Sequence, residues 1–377
     1  MKRKIIILLC AALLAASLAG CKDSKTDTDT ITPSSYLNTS EESTGSSGFD
    51  YESAFSTFAP ETVMIRADGY TVAWDELFFH IFENSFTLEY NLGDSLVWSE
   101  ISHDGLTYAD TVKIDSAQQS LTYKAVEYGA NLSGMSLSAE DLDYMKESFV
   151  QSAAEFGGEE TYLQFLWEAN GCYSRELYDY LTETSVLANQ IFQSLYGENG
   201  ELLSDDDVSI FAAEEGFLMA KHIVLLAPDG DDETVRNEIE GILKQLDEYN
   251  GDDFDTLFDE LMDARSDDQE GLVSYPNGYL FQREDMLESF YEACAALDIG
   301  EYSGVVKSEL GYHIIYRVPL DFEAIPLGLA NNGDYSTLRN YMALSLFDEV
   351  LSGWQDSLSI TYTPEYESID IASMFKK

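Results

Sequence analysis

Two stretches of alternating apolar and polar residues enclose a segment of about one hundred residues. In the first, residues 217–226, the alternation places His222 on the face opposite the aliphatic side chains. In the second, residues 311–318, His313 holds the same position. The pattern predicts two half-buried strands. If the strands are neighbours, their histidines meet on one face of a sheet; the alternative is two separate, hydrogen-bonded core histidines.

The chain between these strands predicts helices. Apolar residues recur at helical spacing in 234–246, in 253–261 and in a third stretch from Met286 to Leu297. Asp268 lies between the second and third helices, followed by the turn-rich residues 275–281. Met286 and Phe290 share one face of the third helix, where the simplest interpretation is ordinary core packing.

Four motifs in this segment occur in the order found in one enzyme family. They are Lys-His-Ile-Val-Leu at 221–225, Met-x3-Phe-x2-Ala at 286–293, Gly-Glu-x-Ser-x-x-Val at 300–306 and Gly-Tyr-His-Ile-Ile at 311–315. The segment resembles the parvulin, or PpiC-type, peptidyl-prolyl isomerase domain. The resemblance implies an α+β fold, in which a small antiparallel sheet is surrounded by helices.

The resemblance also implies the residues of the site. Four positions match the family's catalytic groups: His222, Asp268, Ser308 and His313. Four more match, or lie near, the walls of its proline pocket: Leu280, Phe281, Met286 and Phe290. Tyr279 is the alternative to Leu280 for the third wall. The family's usual Gly-Gly-Asp-Leu-Gly turn is replaced by residues 275–281, which leaves substrate preference and turnover rate open.

The chemistry of this family suits these residue types. Rotation about an X–Pro bond is slow because amide resonance creates a barrier of roughly 18–20 kcal/mol. An apolar cup that excludes water disfavours the charge-separated resonance form, and a nearby carboxylate disfavours it further. Since no bond is made or broken, the reaction needs no nucleophile. We therefore expect neither a metal nor a cofactor.

The first twenty-one residues have the features of an export signal. A basic start at 2–4 and an apolar run at 5–16 precede Leu-Ala-Gly-Cys at 18–21. This ending resembles the bacterial lipobox, which implies lipidation of Cys21 and attachment to the cell membrane. A plain secretory signal is the alternative. Residues 22–58, rich in Ser, Thr, Asp and Gly, predict a disordered tether.

The amino-acid composition limits the kinds of molecule that the chain can bind. The chain has 70 acidic and 20 basic residues, a net charge of −50, and loss of Lys2, Arg3 and Lys4 with the signal takes it to −53. This charge repels phosphate backbones and excludes nucleic-acid binding. The Asp clusters lack calcium-loop spacing, so solvated loops are favoured over weak divalent-ion binding. Outside the signal and its Cys21 only Cys172 and Cys294 remain, and we expect two buried thiols rather than a bridge.

The flanking regions predict a second domain. Residues 59–211 are mainly helical and rich in tyrosine and phenylalanine, with a capping box at Ser138. They resemble, loosely, the helical chaperone region of SurA- and PrsA-type foldases. In residues 321–377 a helix begins near Asp334 and an edge strand follows at 360–362. The resemblance implies that this part folds back on the helical region, with the isomerase domain at 212–320 inserted.

These expectations combine into one hypothesis. The chain is predicted to be a lipid-anchored, extracytoplasmic foldase, which isomerises X–Pro bonds in unfolded exported proteins and also holds them. One alternative is a parvulin-fold chaperone that binds peptides with negligible catalysis. A solute-binding lipoprotein is a second alternative, but it requires two α/β lobes, and residues 60–210 predict almost only helix.

Overall fold

The computed structural model describes residues 48–103, 105–227 and 232–375. The predicted signal peptide, the lipidation site at Cys21 and most of the predicted tether lie outside the described residues. Two compact units divide the chain: one contains the residues up to Ser194 and from Phe347 onward, and the other is Leu195–Leu346. The second unit is thus inserted in the first. It extends further in both directions than the predicted 212–320.

The elements follow one another in this order. The first half contains α1 (Tyr51–Phe55), β1 (Val63–Ala67), β2 (Tyr70–Ala73), α2 (Trp74–Leu92), β3 (Ile101–His103), β4 (Leu106–Thr107), α3 (Tyr108–Ser133), α4 (Ala139–Glu155), α5 (Glu159–Asn170) and α6 (Arg175–Tyr196). The second half contains α7 (Asp205–Glu215), β5 (Leu218–Leu226), α8 (Asp232–Asp247), α9 (Phe254–Arg265), α10 (Gln269–Ser274), β6 (Tyr279–Phe281), α11 (Glu288–Ala295), β7 (Val306–Lys307), β8 (Gly311–Arg317), α12 (Leu327–Asn331), α13 (Leu338–Asp356), β9 (Ile360–Tyr362), α14 (Pro364–Glu367) and α15 (Ile371–Met374).

The first unit is mainly helical, as the sequence predicted. Its three-stranded antiparallel sheet has the order β2-β1-β9, so the predicted C-terminal strand pairs with β1, with Tyr362 opposite Ile65. Ser138 caps α4 in the predicted capping box with Asp141. Of the two remaining cysteines, Cys172 lies here and Cys294 in the second unit; both are buried, and neither forms a disulfide within the described residues.

The predicted tether reaches too far into the folded chain. Helix α1 belongs to it, yet Tyr51 and Phe55 are buried in the core of the first unit. The ring of Tyr51 lies 4.2 Å from that of Phe82, and Asp50 caps the helix by accepting a hydrogen bond from the Ser53 amide. Aromatic side chains bury enough surface to order even a short segment. Their presence is the signal that separates residues 48–58 from the polar stretch before them.

A buried ion pair connects helices α2 and α3 of the first unit. Lys124 Nζ is 3.0 Å from Glu76 Oε2 and 3.3 Å from Glu127 Oε2, and it donates to Tyr180 Oη at 2.7 Å. Glu76 Oε1 has no hydrogen-bond partner among the described residues. Burial raises the pKa of Glu76 to about 7, although Lys124 opposes that rise. The ammonium group therefore holds two acids and a phenol together.

We expect Lys124→Met to destabilise the first unit by about 3–5 kcal/mol, because it leaves the Glu76 carboxyl group buried without its cation. All four tryptophans (Trp74, Trp98, Trp167 and Trp354) lie in this unit, so urea unfolding followed by tryptophan fluorescence reports on it alone. The exposed Lys146→Met is the matched control and should change the free energy of unfolding little. A loss below about 1 kcal/mol in Lys124→Met would contradict the stabilising role of this ion pair.

The second unit is built on a four-stranded antiparallel sheet with the order β6-β5-β8-β7. One face of the sheet carries Ile223 and Ile314, which are buried against residues of α8 and α9 such as Ile239 and Phe258. The other face carries a smaller apolar cluster that includes Phe281 and Phe290. Two-sided burial explains why β8 reads as an almost continuous apolar run.

The predicted α+β class, with a small antiparallel sheet and surrounding helices next to a mainly helical part, is confirmed. In the three described stretches of the chain, no helix is both long and apolar enough to span a bilayer.

Candidate functional site

The pairing of β5 with β8 brings the two predicted histidines together. In the register of these strands His222 is opposite Ile315 and His313 is opposite Val224, so the histidines are diagonal neighbours on one face. Their rings are nearly parallel, with centroids 5.6 Å apart and an interplanar angle of 16°. The two Nδ1 atoms are 3.5 Å apart. The side chains thus lie within contact although the residues are 91 positions apart.

Asp268 is held beside His222 by the start of α10. It is the N-cap of this short helix, and its Oδ1 accepts a hydrogen bond from the Gly271 amide at 3.1 Å. Its Oδ2 lies 2.9 Å from His222 Nε2 and accepts from Tyr279 Oη at 2.6 Å. These bonds, with that from His222 first, lower the pKa of Asp268 to about 2 despite partial burial. The carboxyl group is therefore ionised at neutral pH.

Ser308 completes a row of hydrogen bonds with one consistent direction. Its Oγ is 2.7 Å from His313 Nε2 and accepts from the Leu310 amide at 3.1 Å. Because ionised Asp268 only accepts, a His222 ring with a single proton donates it from Nε2, and its Nδ1 is left as an acceptor. His313 then donates from Nδ1 to His222, and its Nε2 accepts the Ser308 hydroxyl. Each ring thus has a defined tautomer, set by the carboxylate at one end.

His313 is the more deeply buried of the two histidines. Only 3% of its surface is exposed. Burial and the neighbouring His222 lower the pKa of His313 to about 4, while Asp268 opposes the shift. A neutral imidazole at this position is what the row of hydrogen bonds requires.

The apolar part of the site is formed mainly by α11 and β6. Phe290 meets both histidines edge to face, with its ring centroid 5.3 Å from His222 and 5.7 Å from His313. Phe281 lies 5.6 Å from Phe290 and is fully buried, whereas Met286 is only partly buried. The predicted pocket residue Phe290 thus borders the histidine pair and contacts Phe281, and Met286, just before α11, packs against the same apolar cluster.

Leu280 is not in the pocket, contrary to our prediction. Side chains alternate along β6, and Leu280, paired with Met219, is buried in the core on the opposite face of the sheet. Tyr279, the alternative, lies on the site face, with its ring 5.6 Å from His222. A one-residue difference in a strand moves a side chain to the other face, and sequence alone did not fix it across the altered turn.

The sequence did not reveal the hydroxyl groups that support the site. The Tyr279 hydroxyl donates a hydrogen bond to Asp268, and the Tyr275 ring lies 4.7 Å from the Tyr279 ring at an interplanar angle of 38°. Two buried serines bond the backbone beside the histidines: Ser266 accepts from the Val224 amide at 3.1 Å, and Ser303 accepts from the Ile315 amide at 2.9 Å. Ser303 is the serine of the Gly-Glu-x-Ser motif, whereas Ser266 is signalled only by its proximity to Asp268.

Comparison with known protein families identifies this part of the chain. The family model of the rotamase, or PPIC-type PPIase, domain matches residues 222–318. These residues form a PPIC-type peptidyl-prolyl isomerase domain. The predicted enzyme class, a peptidyl-prolyl cis–trans isomerase of the parvulin type, is therefore confirmed. The catalytic roles of the individual residues remain predictions.

Several solved structures match large parts of the chain at low identity. The peptidylprolyl isomerase PrsA of Bacillus cereus is 15% identical, with 84% of this chain and 100% of that chain covered and a TM-score of 0.34. PrsA of Bacillus anthracis is 18% identical over 64% and 96% of the two chains, with a TM-score of 0.27. A SurA-like chaperone of Campylobacter jejuni is 17% identical over 69% and 96%, with a TM-score of 0.24. No curated protein sequence matches the chain.

We expect His313 to remain neutral down to about pH 4. The chain has four histidines, so their Hε1 signals can be followed by NMR from pH 7.5 to 4 and the His313 signal assigned with His313→Gln. Unfolded His313 binds its proton near pH 6.5 and the folded form near pH 4, so its contribution to stability is lost as pH falls through that window. A His313 signal that titrates near 6.5 in the folded protein would contradict the assigned network.

Proposed function

We propose that the site isomerises X–Pro peptide bonds in unfolded exported proteins, and that the chain is held outside the cytoplasm by a lipid on Cys21. The observation that carries the catalytic part is the directed row of hydrogen bonds from Ser308 to Asp268, which runs along the edge of Phe290. A polar network with fixed tautomers beside an apolar surface suits a substrate that has a ring and a polarised amide.

The mechanism follows from these surroundings. The proline ring packs on Met286 and Phe290, which removes water from the amide and weakens the resonance that keeps it planar. The Asp268 carboxylate, ionised at neutral pH, opposes negative charge on the amide oxygen and so disfavours the charge-separated form. The two imidazoles keep the carboxylate in place and are positioning residues in this scheme. Nothing in it needs a covalent intermediate.

We expect Asp268→Ala and His222→Ala to lower kcat/KM by about 10²-fold, because each removes a member of the aligned network. The measurement is the cis–trans exchange rate of an Ala-Xaa-Pro-Phe peptide, followed by NMR. The exposed Asp263→Ala, in the same unit, is the matched control and should retain wild-type turnover.

The same assay separates the alternative function. If the wild type and both variants give the uncatalysed rate while the protein still suppresses aggregation of an unfolded client, the site is a peptide-holding site and not an enzyme. The altered turn at residues 275–281 is the reason to test this alternative, because Tyr279 in that turn donates a hydrogen bond to the proposed catalytic carboxylate of Asp268.

A groove in the first unit supports the proposed holding of clients. It has a volume of about 680 Å³, and its lining combines the apolar and aromatic side chains of Phe55, Phe58, Leu163, Trp167 and Tyr173 with the polar ones of Glu52, Ser56, Thr57 and Gln164. Tyr173 is 48% exposed, so part of this lining is available to another molecule. Aromatic surfaces of this kind bind apolar side chains without demanding one sequence. An extended, unfolded segment is the occupant that the proposal assigns to it.

We expect Cys21→Ser to release the protein from membranes. In a bacterial host the wild type should fractionate with membranes and its mature N-terminal peptide should carry acyl chains by mass spectrometry, because several acyl chains give stable anchoring. The variant should appear in the soluble extracytoplasmic fraction. Cys172→Ser, which changes a buried thiol, is the control and should stay with the membrane. A soluble wild-type protein without acyl chains would contradict the anchor.

A further inference from the structure

The residues that follow the family-matched domain return to the same face of its sheet. Helix α12 begins at Leu327, nine residues after the match ends at residue 318, and it packs on β6 and on the 3-10 turn Arg283–Asp285. Leu327 is partly buried against the apolar cluster that contains Phe281 and Phe290 and that Met286 also borders. An aliphatic side chain from outside the matched domain thus joins the apolar wall beside the histidines.

The position of Leu327 is well defined. Its neighbour Gly328 approaches Asp285 so closely that a β-carbon on Gly328 would collide with that carboxyl group. Asp285 is itself fixed, because its Oδ2 accepts a hydrogen bond from the Gln282 amide at 2.8 Å. The preceding Pro326 is buried. Since Asp285 directly precedes Met286, this contact places the start of α12 next to the proposed pocket.

Both ends of the segment that carries α12 are also held. The Leu338 amide donates to Ala324 O and the Arg339 amide donates to Phe322 O, each at 3.0 Å. Arg339 Nε donates to Glu323 Oε1 at 2.6 Å. Residues 322–339 therefore form a closed loop with a fixed base, and α12 at its tip is presented in one place.

The turn before β6 leaves this part of the pocket without an aliphatic wall. Leu280 points to the other face of the sheet. Gly278 has φ +103°, and a β-carbon there would lie 2.8 Å from Ala220 O, so it has no side chain to offer and no room for one. The Tyr279 hydroxyl donates its hydrogen bond to Asp268. Leu327 is one of the partly exposed aliphatic residues on this cluster, with Leu287, Leu297 and Val306, and it belongs to the helix that packs on β6 and on the turn directly before Met286.

We propose that Leu327 forms an aliphatic wall of the proline pocket and sets the size of the ring that the pocket accepts. The proposal rests on the isomerase function proposed above. A leucine side chain at this edge leaves less room for a ring than a smaller residue would. Replacing Leu327 with a smaller residue should weaken the binding of proline and make room for a larger ring.

The test compares Leu327→Ala with two matched variants, Leu327→Met and Leu329→Ala. Leu329 is a second partly buried leucine of the same short helix and is not part of the apolar cluster. Exchange rates are measured for a prolyl peptide and for its pipecolyl analogue, whose ring has one more carbon. Leu327→Ala should lower kcat/KM for the prolyl peptide by about five- to twentyfold, mainly through KM, and should raise the pipecolyl-to-prolyl ratio.

Leu327→Met should stay close to the wild type in both quantities, and Leu329→Ala should match the wild type. Equal losses on both substrates in Leu327→Ala, or no loss at all, would overturn the proposal, because a structural defect lowers both rates by the same factor. Melting temperatures confirm that each variant is folded.

The outcome remains decisive if the proposed function fails. Should the wild type bind prolyl peptides without isomerising them, dissociation constants replace rates, and Leu327→Ala should weaken prolyl binding while Leu329→Ala does not. Equal affinities for Leu327→Ala and the wild type would then overturn the pocket assignment alone. Absence of both turnover and binding in the wild type would overturn the proposed function and the pocket together.

Discussion

The site depends on one pairing, that of β5 with β8. These strands are separated by the 84 residues from 227 to 310, and their register decides that His222 and His313 project from the same face as diagonal neighbours. A shift of the register by one residue would turn one histidine into the core that contains Ile223 and Ile314. The burial of that opposite face fixes the register, so the hydrophobic core of the unit determines the geometry of its chemistry.

The electrostatic state of the site follows from where each group lies in this frame. Asp268 sits at a helix start and receives three hydrogen bonds, which keeps it ionised. His313 lies deeper, against Phe290, and burial keeps it neutral. The ionised carboxylate of Asp268 and the neutral imidazole of His313 together determine which nitrogen atoms in the row of hydrogen bonds carry the protons. The apolar surface of Phe290 and Met286 can therefore sit beside a polar network without an unpaired buried charge.

Alternation along the strands was sufficient to predict which residues of β5 and β8 share a face, and the family resemblance indicated Asp268, Ser308, Met286 and Phe290 as site residues. The errors have physical causes. Leu280 was misplaced because a three-residue strand after an altered turn has no long apolar pattern to fix its register. The hydrogen bond from Tyr279 is a tertiary contact that no local pattern encodes. Helix α1 was assigned to the tether because its few aromatic residues lie beside a long polar stretch.

Ser308, the two histidines and Asp268 are proposed to act as a single aligned unit, and a double-mutant cycle on kcat/KM tests this claim most directly. The cycle combines Asp268→Ala with His313→Gln, whose side chains are linked by hydrogen bonds through His222. If the network acts as a unit, either change misaligns it, and the double variant should be no slower than the slower single variant. Losses that multiply would show two independent contributions and would contradict a single aligned network.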